Sequence, residues 1–221
     1  MKMLAVEFSA VPREVALLEQ IQDGSVQARS VVASAEERPL AGLRLVETAL
    51  REAGWDRSDI EAVAVGLGPG SYTGIRAALA LAQGWHLARQ VLVLGNSSME
   101  SIAARAWEVG VRGWVCVVVD AQRGELYVAE YELADAGWRE LKPLRLADAC
   151  GLRQGIDRRK WQWVGPEVTR WFSEGIKLGP SAVHVGRLAL RRGPCAPESF
   201  EPIYLRPVQF VKTPVPNLKL T

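Results

Sequence analysis

Apolar and polar positions along the chain fall into two alternating rhythms. Met3–Ser9 opens on a continuous apolar run, and Glu14–Ile21 and Ser25–Ser34 follow as further strands. Asp23-Gly24 between them is a dipeptide that favours a hairpin turn. From Pro39 to Ala53 the spacing becomes helical, with Leu43, Val46 and Leu50 on one stripe and Gly54 as the stop. Ala62–Gly68 (AVAVGLG) suits a strand buried on both faces; a helix over Thr73–Ala88, a strand over Val91–Leu94 and a helix over Ser97–Val109 follow. A second set begins with the buried strand Trp114–Ala121, a turn at Ala121–Gly124 and a longer strand over Glu125–Leu133. Helical patches follow at Ala147–Gln154, Glu167–Ser173 and Ala182–Arg192, and prolines 197, 202, 207, 214 and 216 keep the tail extended. Each half moves from strands and a hairpin to helices. The expected architecture is α/β and duplicated, with a boundary near residue 110.

Composition narrows the function classes. With 221 residues, 48% hydrophobic and 24% charged, the chain is globular in character. No apolar run reaches the roughly 18 residues of a membrane span, and Glu7 interrupts any exported leader, so the expected location is the cytoplasm. The three cysteines (Cys116, Cys150, Cys195) form no CxxC pair, which argues for reduced thiols. Only two histidines, His86 and His184, are present, which excludes an HExxH hydrolase. Residues 1–150 hold 15 Lys or Arg against 20 Asp or Glu, a net of −5; residues 151–221 hold 12 against 5, a net of +7. A basic final third is compatible with an acidic partner or simply with a solvated surface.

The most informative stretch is Gly66-Leu67-Gly68-Pro69-Gly70-Ser71-Tyr72-Thr73-Gly74-Ile75-Arg76, between a buried strand and a helix. Backbone N–H groups at such a junction can cradle an anion. Its spacing fails the phosphate signatures, however. No lysine lies between Lys2 and Lys142, as a Walker loop requires, and Ser71 stands where a dinucleotide fingerprint needs its last glycine. The loop reads as built for shape, with Ser71 or Thr73 capping the helix. In that helix only Arg76, Gln83 and His86 are clearly polar past its first residue, and Ala80 and Gly84 are among its many small residues. A helix apolar on nearly every side must be covered on nearly every side. Either the preceding helix covers the second face or another chain does; the width of both helices favours a partner.

Here the sequence resembles the TsaB (YeaZ) family of tRNA threonylcarbamoyladenosine biosynthesis proteins. Gly68-Pro69-Gly70-Ser71-Tyr72-Thr73-Gly74-Ile75-Arg76 matches its GPGS-aromatic-TG-aliphatic-R signature. Leu4–Ser9 resembles its opening strand, Asp120–Tyr127 its DAR-x-GE turn, and Glu201–Arg206 its closing EPVYLR. The resemblance implies a two-lobe actin, sugar-kinase and Hsp70 fold, each lobe a five-stranded mixed sheet with helices. One lobe would take residues 1–109 and about 200–221, the other 110–199. It further implies a non-catalytic subunit that organises a TsaD-type transferase through the two N-terminal-lobe helices. A TsaE-type ATPase joins that assembly, tRNA is met only through the complex, and the chain forms a homodimer when alone. The expected interface is the signature loop with Arg76, Ala80, Gln83, Gly84, Leu87, Leu43, Glu47 and Leu50; no catalytic residue, metal or cofactor belongs to the chain itself, ATP and Mg being held by partners.

Two departures bear on chemistry. Glu7 replaces the family's aspartate, and Gln122 stands where arginine is usual. Glu7 and Asp120 occupy corresponding points of the two halves, so a vestigial phosphate or metal site, or an ATPase or kinase of the same fold, is the rival reading. Asp120 more simply closes its turn. A third possibility is an RNA-binding module, because Asp157–Trp163 mixes basic and aromatic residues.

Overall fold

The computed structural model describes residues 1–36, 41–155, 161–193 and 200–205. Strands β1 (Lys2–Glu7), β2 (Arg13–Gln20), β3 (Val26–Ser34), β4 (Ala62–Gly66) and β5 (Leu92–Asn96) form a first sheet in the order β3-β2-β1-β4-β5. Strands β6 (Gly113–Asp120), β7 (Glu125–Ala134), β8 (Gly137–Asp148), β9 (Trp161–Gly165) and β10 (Ile176–Lys177) form a second in the order β10-β9-β6-β7-β8. In each sheet the first three strands pair antiparallel and the last two join in parallel. The repeat suggested by the sequence is therefore present strand for strand, and the two-lobe α/β fold is as expected.

Alternation in the strands divides each sheet's residues between two cores. On the outer face of the first sheet, Leu4, Val6, Val15, Leu17, Val63 and Val65 pack beneath helices α1 (Ala41–Ala53) and α2 (Tyr72–Arg89). Its inner face, with Met3, Ala5, Ala16, Leu18, Ala62 and Ala64, receives Ala182, Val185 and Ala189 of the last helix, α5 (Ala182–Arg192). A Cβ on Gly186 of α5 would lie 2.3 Å from Leu18 Cδ1, so glycine there sets how closely helix and sheet approach. Helix α3 (Ser98–Glu108) packs Met99, Ile102, Ala103 and Ala106 on the second sheet, against Val115, Val117, Val119 and Tyr131. Thus α3, inside the span 1–109, serves the second sheet, and α5, inside 110–199, serves the first.

Among the described residues the outer face of the second sheet has only the short α4 (Ala149–Gly155) and a helical turn at Val168–Arg170, where the sequence suggested a helix over Glu167–Ser173. Trp163 fills the space instead, stacked on Phe172 at 3.7 Å and 5°. Strand β8 went unread in the sequence because it is half-buried or exposed throughout and carries no apolar alternation. Residues 200–205 return to the first lobe. Phe200 joins its outer core, the Ile203 N–H donates to the Leu67 carbonyl at 2.9 Å, and Tyr204 stacks on Tyr72 at 5.4 Å. The basic run at 157–160, Pro39, Cys195 and the tail from 206 lie outside the described residues. No helix among the described residues is long and apolar enough to cross a membrane.

Candidate functional site

The glycine junction is pressed against the end of β1. A Cβ on Gly70 would come 2.2 Å from the Ser9 carbonyl oxygen, and one on Gly74 1.9 Å from that of Phe8. Gly68 and Gly70 have φ of +90° and +153°, a region open chiefly to glycine, and the Gly68–Pro69 peptide is cis. Four N–H groups of the junction are engaged: Gly68 donates to Ser98 Oγ, Ser71 to the Ser9 carbonyl, Gly74 to Ser71 Oγ and Ile75 to the Ser71 carbonyl. Ser71 is thus the cap the sequence suggested. Through these bonds the junction braces β1, α2 and α3 against one another.

Beneath it lies Glu7, 1% exposed. Its Oε1 accepts the Ser9 N–H at 2.7 Å and its Oε2 accepts the Ser98 hydroxyl at 2.7 Å. Burial pushes the carboxyl up from its usual range, against the lowering effect of the Ser9 and Ser98 hydrogen bonds. Gly66 is required alongside, since a Cβ there would fall 2.1 Å from Glu7 Oε2. Asp120 is likewise occupied: Oδ1 accepts the Gln122 N–H at 2.7 Å and Oδ2 accepts Arg170 Nη1 at 2.9 Å. The first bond closes the turn, in which Gln122, Arg123 and Gly124 all have positive φ. Both carboxylates are hydrogen-bonded within their own chain. Among the described residues no group of three His, Cys, Asp or Glu could hold a metal.

Above the brace, α2 is covered on one side only. Gly74, Ile75, Ala78, Leu79 and Ala82 are buried, whereas Tyr72, Thr73, Arg76, Ala80, Gln83, Gly84 and Leu87 are exposed, Leu87 at 78%. Between α1 and α2 runs a groove of about 500 Å³ walled by Leu43, Val46 and Glu47 on one side and Ala80, Leu81, Gly84 and Trp85 on the other, closed by Arg57, Ala88 and Arg89. Leu43, Glu47, Ala80 and Gly84 were singled out in the sequence and stand together here. Leu50, expected beside them, is in the core, because the loop after α1 folds Trp55 and Ile60 against it. Gly68, Pro69 and Gly74 are buried beneath the face instead of on it.

Comparison with known proteins decides the family. A curated TsaB from Escherichia coli K12, a tRNA threonylcarbamoyladenosine biosynthesis protein, is 30% identical over 93% of this chain and 95% of its own length. The chain belongs to the TsaB (YeaZ) family. A second TsaB, from Haemophilus influenzae, is 28% identical over 74% of this chain and 78% of its own. The solved structure of YeaZ from Pseudomonas aeruginosa superposes with a TM-score of 0.76 at 26% identity, covering 92% of this chain and 99% of that one. Residues 41–143, from α1 into β8, also match the family model described as TsaD, tRNA N6-adenosine threonylcarbamoyltransferase.

Some supports of the site were not readable beforehand. Ser98, which ties Glu7 to the loop, sits in a different helix and carries no sequence signal beyond a place next to a helix start. Tyr204 reaches Tyr72 only because the chain returns after both lobes are built. Arg57 enters the groove from the helical turn after α1, and Arg89 from the last residue of α2.

Proposed function

We propose that this chain is an accessory subunit in the biosynthesis of threonylcarbamoyladenosine in tRNA, and that it holds a TsaD-type transferase through α1 and α2. The observation that carries the reading is the half-covered α2 beside the α1/α2 groove, where alanines and a glycine allow close helix approach. The names borne by its relatives give the process, and the match of residues 41–143 to the transferase's own family model supports a partner of like scaffold. Catalysis, nucleotide and Mg belong to the partner subunits in this reading, since Glu7 and Asp120 are engaged by their own chain. A TsaE-type ATPase and tRNA then join through the transferase, and the chain alone forms a homodimer.

The test is mass measurement by light scattering on a mixture with the transferase. A stable complex at micromolar concentration is expected, and its absence counts against the reading. Gly84→Arg fills open space on the helix surface, where an added Cβ meets nothing within 4 Å. It should abolish the complex and leave the monomer's circular dichroism unchanged. Tight Mg-ATP binding by the isolated chain, lost in Glu7→Ala, overturns the accessory role.

A further inference from the structure

Helix α5 covers the first sheet and α3 the second, so the crossing of these two helices is a seam between the halves of the molecule. Polar ties close it. Ser101 Oγ donates to the Ser181 carbonyl at 3.1 Å and accepts the Ser181 N–H at 3.0 Å. Arg192 of α5 pairs with Glu100 of α3. At the last residue of α3, Glu108 Oε2 lies 2.6 Å from His184 Nε2, and its Oε1 accepts Arg187 Nη1 at 2.8 Å. Of these ties only the His184 one holds a group whose ordinary pKa puts its charge change between pH 5 and 8. His184 is 8% exposed, and its Nδ1 has no hydrogen-bond partner among the described residues.

We infer that the α3/α5 crossing is an acid-sensitive latch, held while His184 is neutral and released when that ring takes a proton. In the neutral ring the Nε2 proton faces the Glu108 carboxylate, and Nδ1 carries only a lone pair. Protonation creates a buried N–H at Nδ1 with no acceptor to receive it, which is costly. The charged groups facing the ring are Glu108 and Arg105 of α3 and Arg187 and Arg191 of α5; β8 brings the uncharged Trp138. Glu14 of β2 is spent on the start of α5, accepting the Ala182 N–H at 2.7 Å and the Ser181 hydroxyl at 2.8 Å. A new cation at His184 therefore shares a single carboxylate with Arg187. Burial, together with Arg187 and Arg105, outweighs Glu108 and sets the ring's pKa below its usual value. A hollow of about 60 Å³ between Trp107, Trp138 and Leu188 gives the charged ring room to swing toward water. Release of α5 bares the inner face of the first sheet, Met3, Ala5 and Leu18 included.

Amide hydrogen exchange on the full chain, corrected for its intrinsic pH dependence, tests the latch. The open seam takes the proton at the ordinary histidine value and the closed seam at a lower one, so acid favours opening. Protection across 98–108 and 182–192 should fall as pH drops below about 6.5, by up to about tenfold per pH unit, and level once closed-seam His184 is charged. The central strands β1 and β6 should keep their protection. His184→Gln, which takes no proton and can still donate to Glu108, should remove the pH dependence, whereas His86→Gln should retain it. Equal loss over β1 and β6, a pH-independent α5, or a slope that survives His184→Gln or disappears in His86→Gln overturns the inference.

Discussion

The two sheets have the same strand order, yet their outer faces are finished in opposite ways. Over the first, α1 and α2 run 13 and 18 residues and leave a groove between them. Over the second, the equivalent positions hold the seven-residue α4 and one helical turn, and the Trp163–Phe172 stack seals the core. One surface is closed by large side chains packed inward; the other is roofed by helices whose small residues face out. The two sheets share one strand order, and the helices after β3 and β4 leave the first with a half-open outer face.

The largest expected effect probes the closed side. Trp163→Ala removes a side chain 2% exposed and should cost about 3–5 kcal/mol in urea unfolding. Leu87→Ser on the open side should change stability by less than about 0.5 kcal/mol. A comparable loss at Leu87 would show that this side is already packed, and would erase the contrast.

Next comes the junction that holds the open side in place. Glu7 titrates near 4.5 in an unfolded chain and higher in the folded one. The folded state therefore holds that proton more tightly, and stability should fall as pH rises through the window above about 4.5, levelling once folded Glu7 is ionised. Glu7→Gln should flatten that part of the pH–stability curve; an unchanged slope would place its origin elsewhere.

The smallest effect is a gain. Gly84→Ala lies mid-helix with open space around its Cβ, so the isolated chain should gain about 0.5–1 kcal/mol from helix propensity. Binding to the transferase should weaken at the same time. Tighter stability with unaltered binding would mean that close approach at Gly84 is not used.

How far each part was legible follows from where its signal lies. Strands β1, β4 and β6 announced themselves because their central runs, Met3–Val6, Ala62–Val65 and Val115–Val119, are apolar and buried on both faces. The groove residues Leu43, Ala80 and Gly84 were visible because α2 carries more apolar and small surface than one sheet can cover. Leu50 misled, since it shares the stripe of Leu43 and only the returning loop at Trp55 and Ile60 separates them. The Glu7–Ser98–Gly68 brace joins residues up to 91 positions apart and leaves no local pattern.

The crossing of α3 and α5 has a consequence for how the molecule comes into being. The inner side of the first sheet is covered by residues 182–192, which come late in the chain, after all ten strands. An early-made half with a bare apolar flank cannot mature by itself, and cutting the chain near residue 110 would hand each fragment the other's missing helix. The two halves are therefore interlocked, each sheet being covered in part by a helix from the other half of the chain.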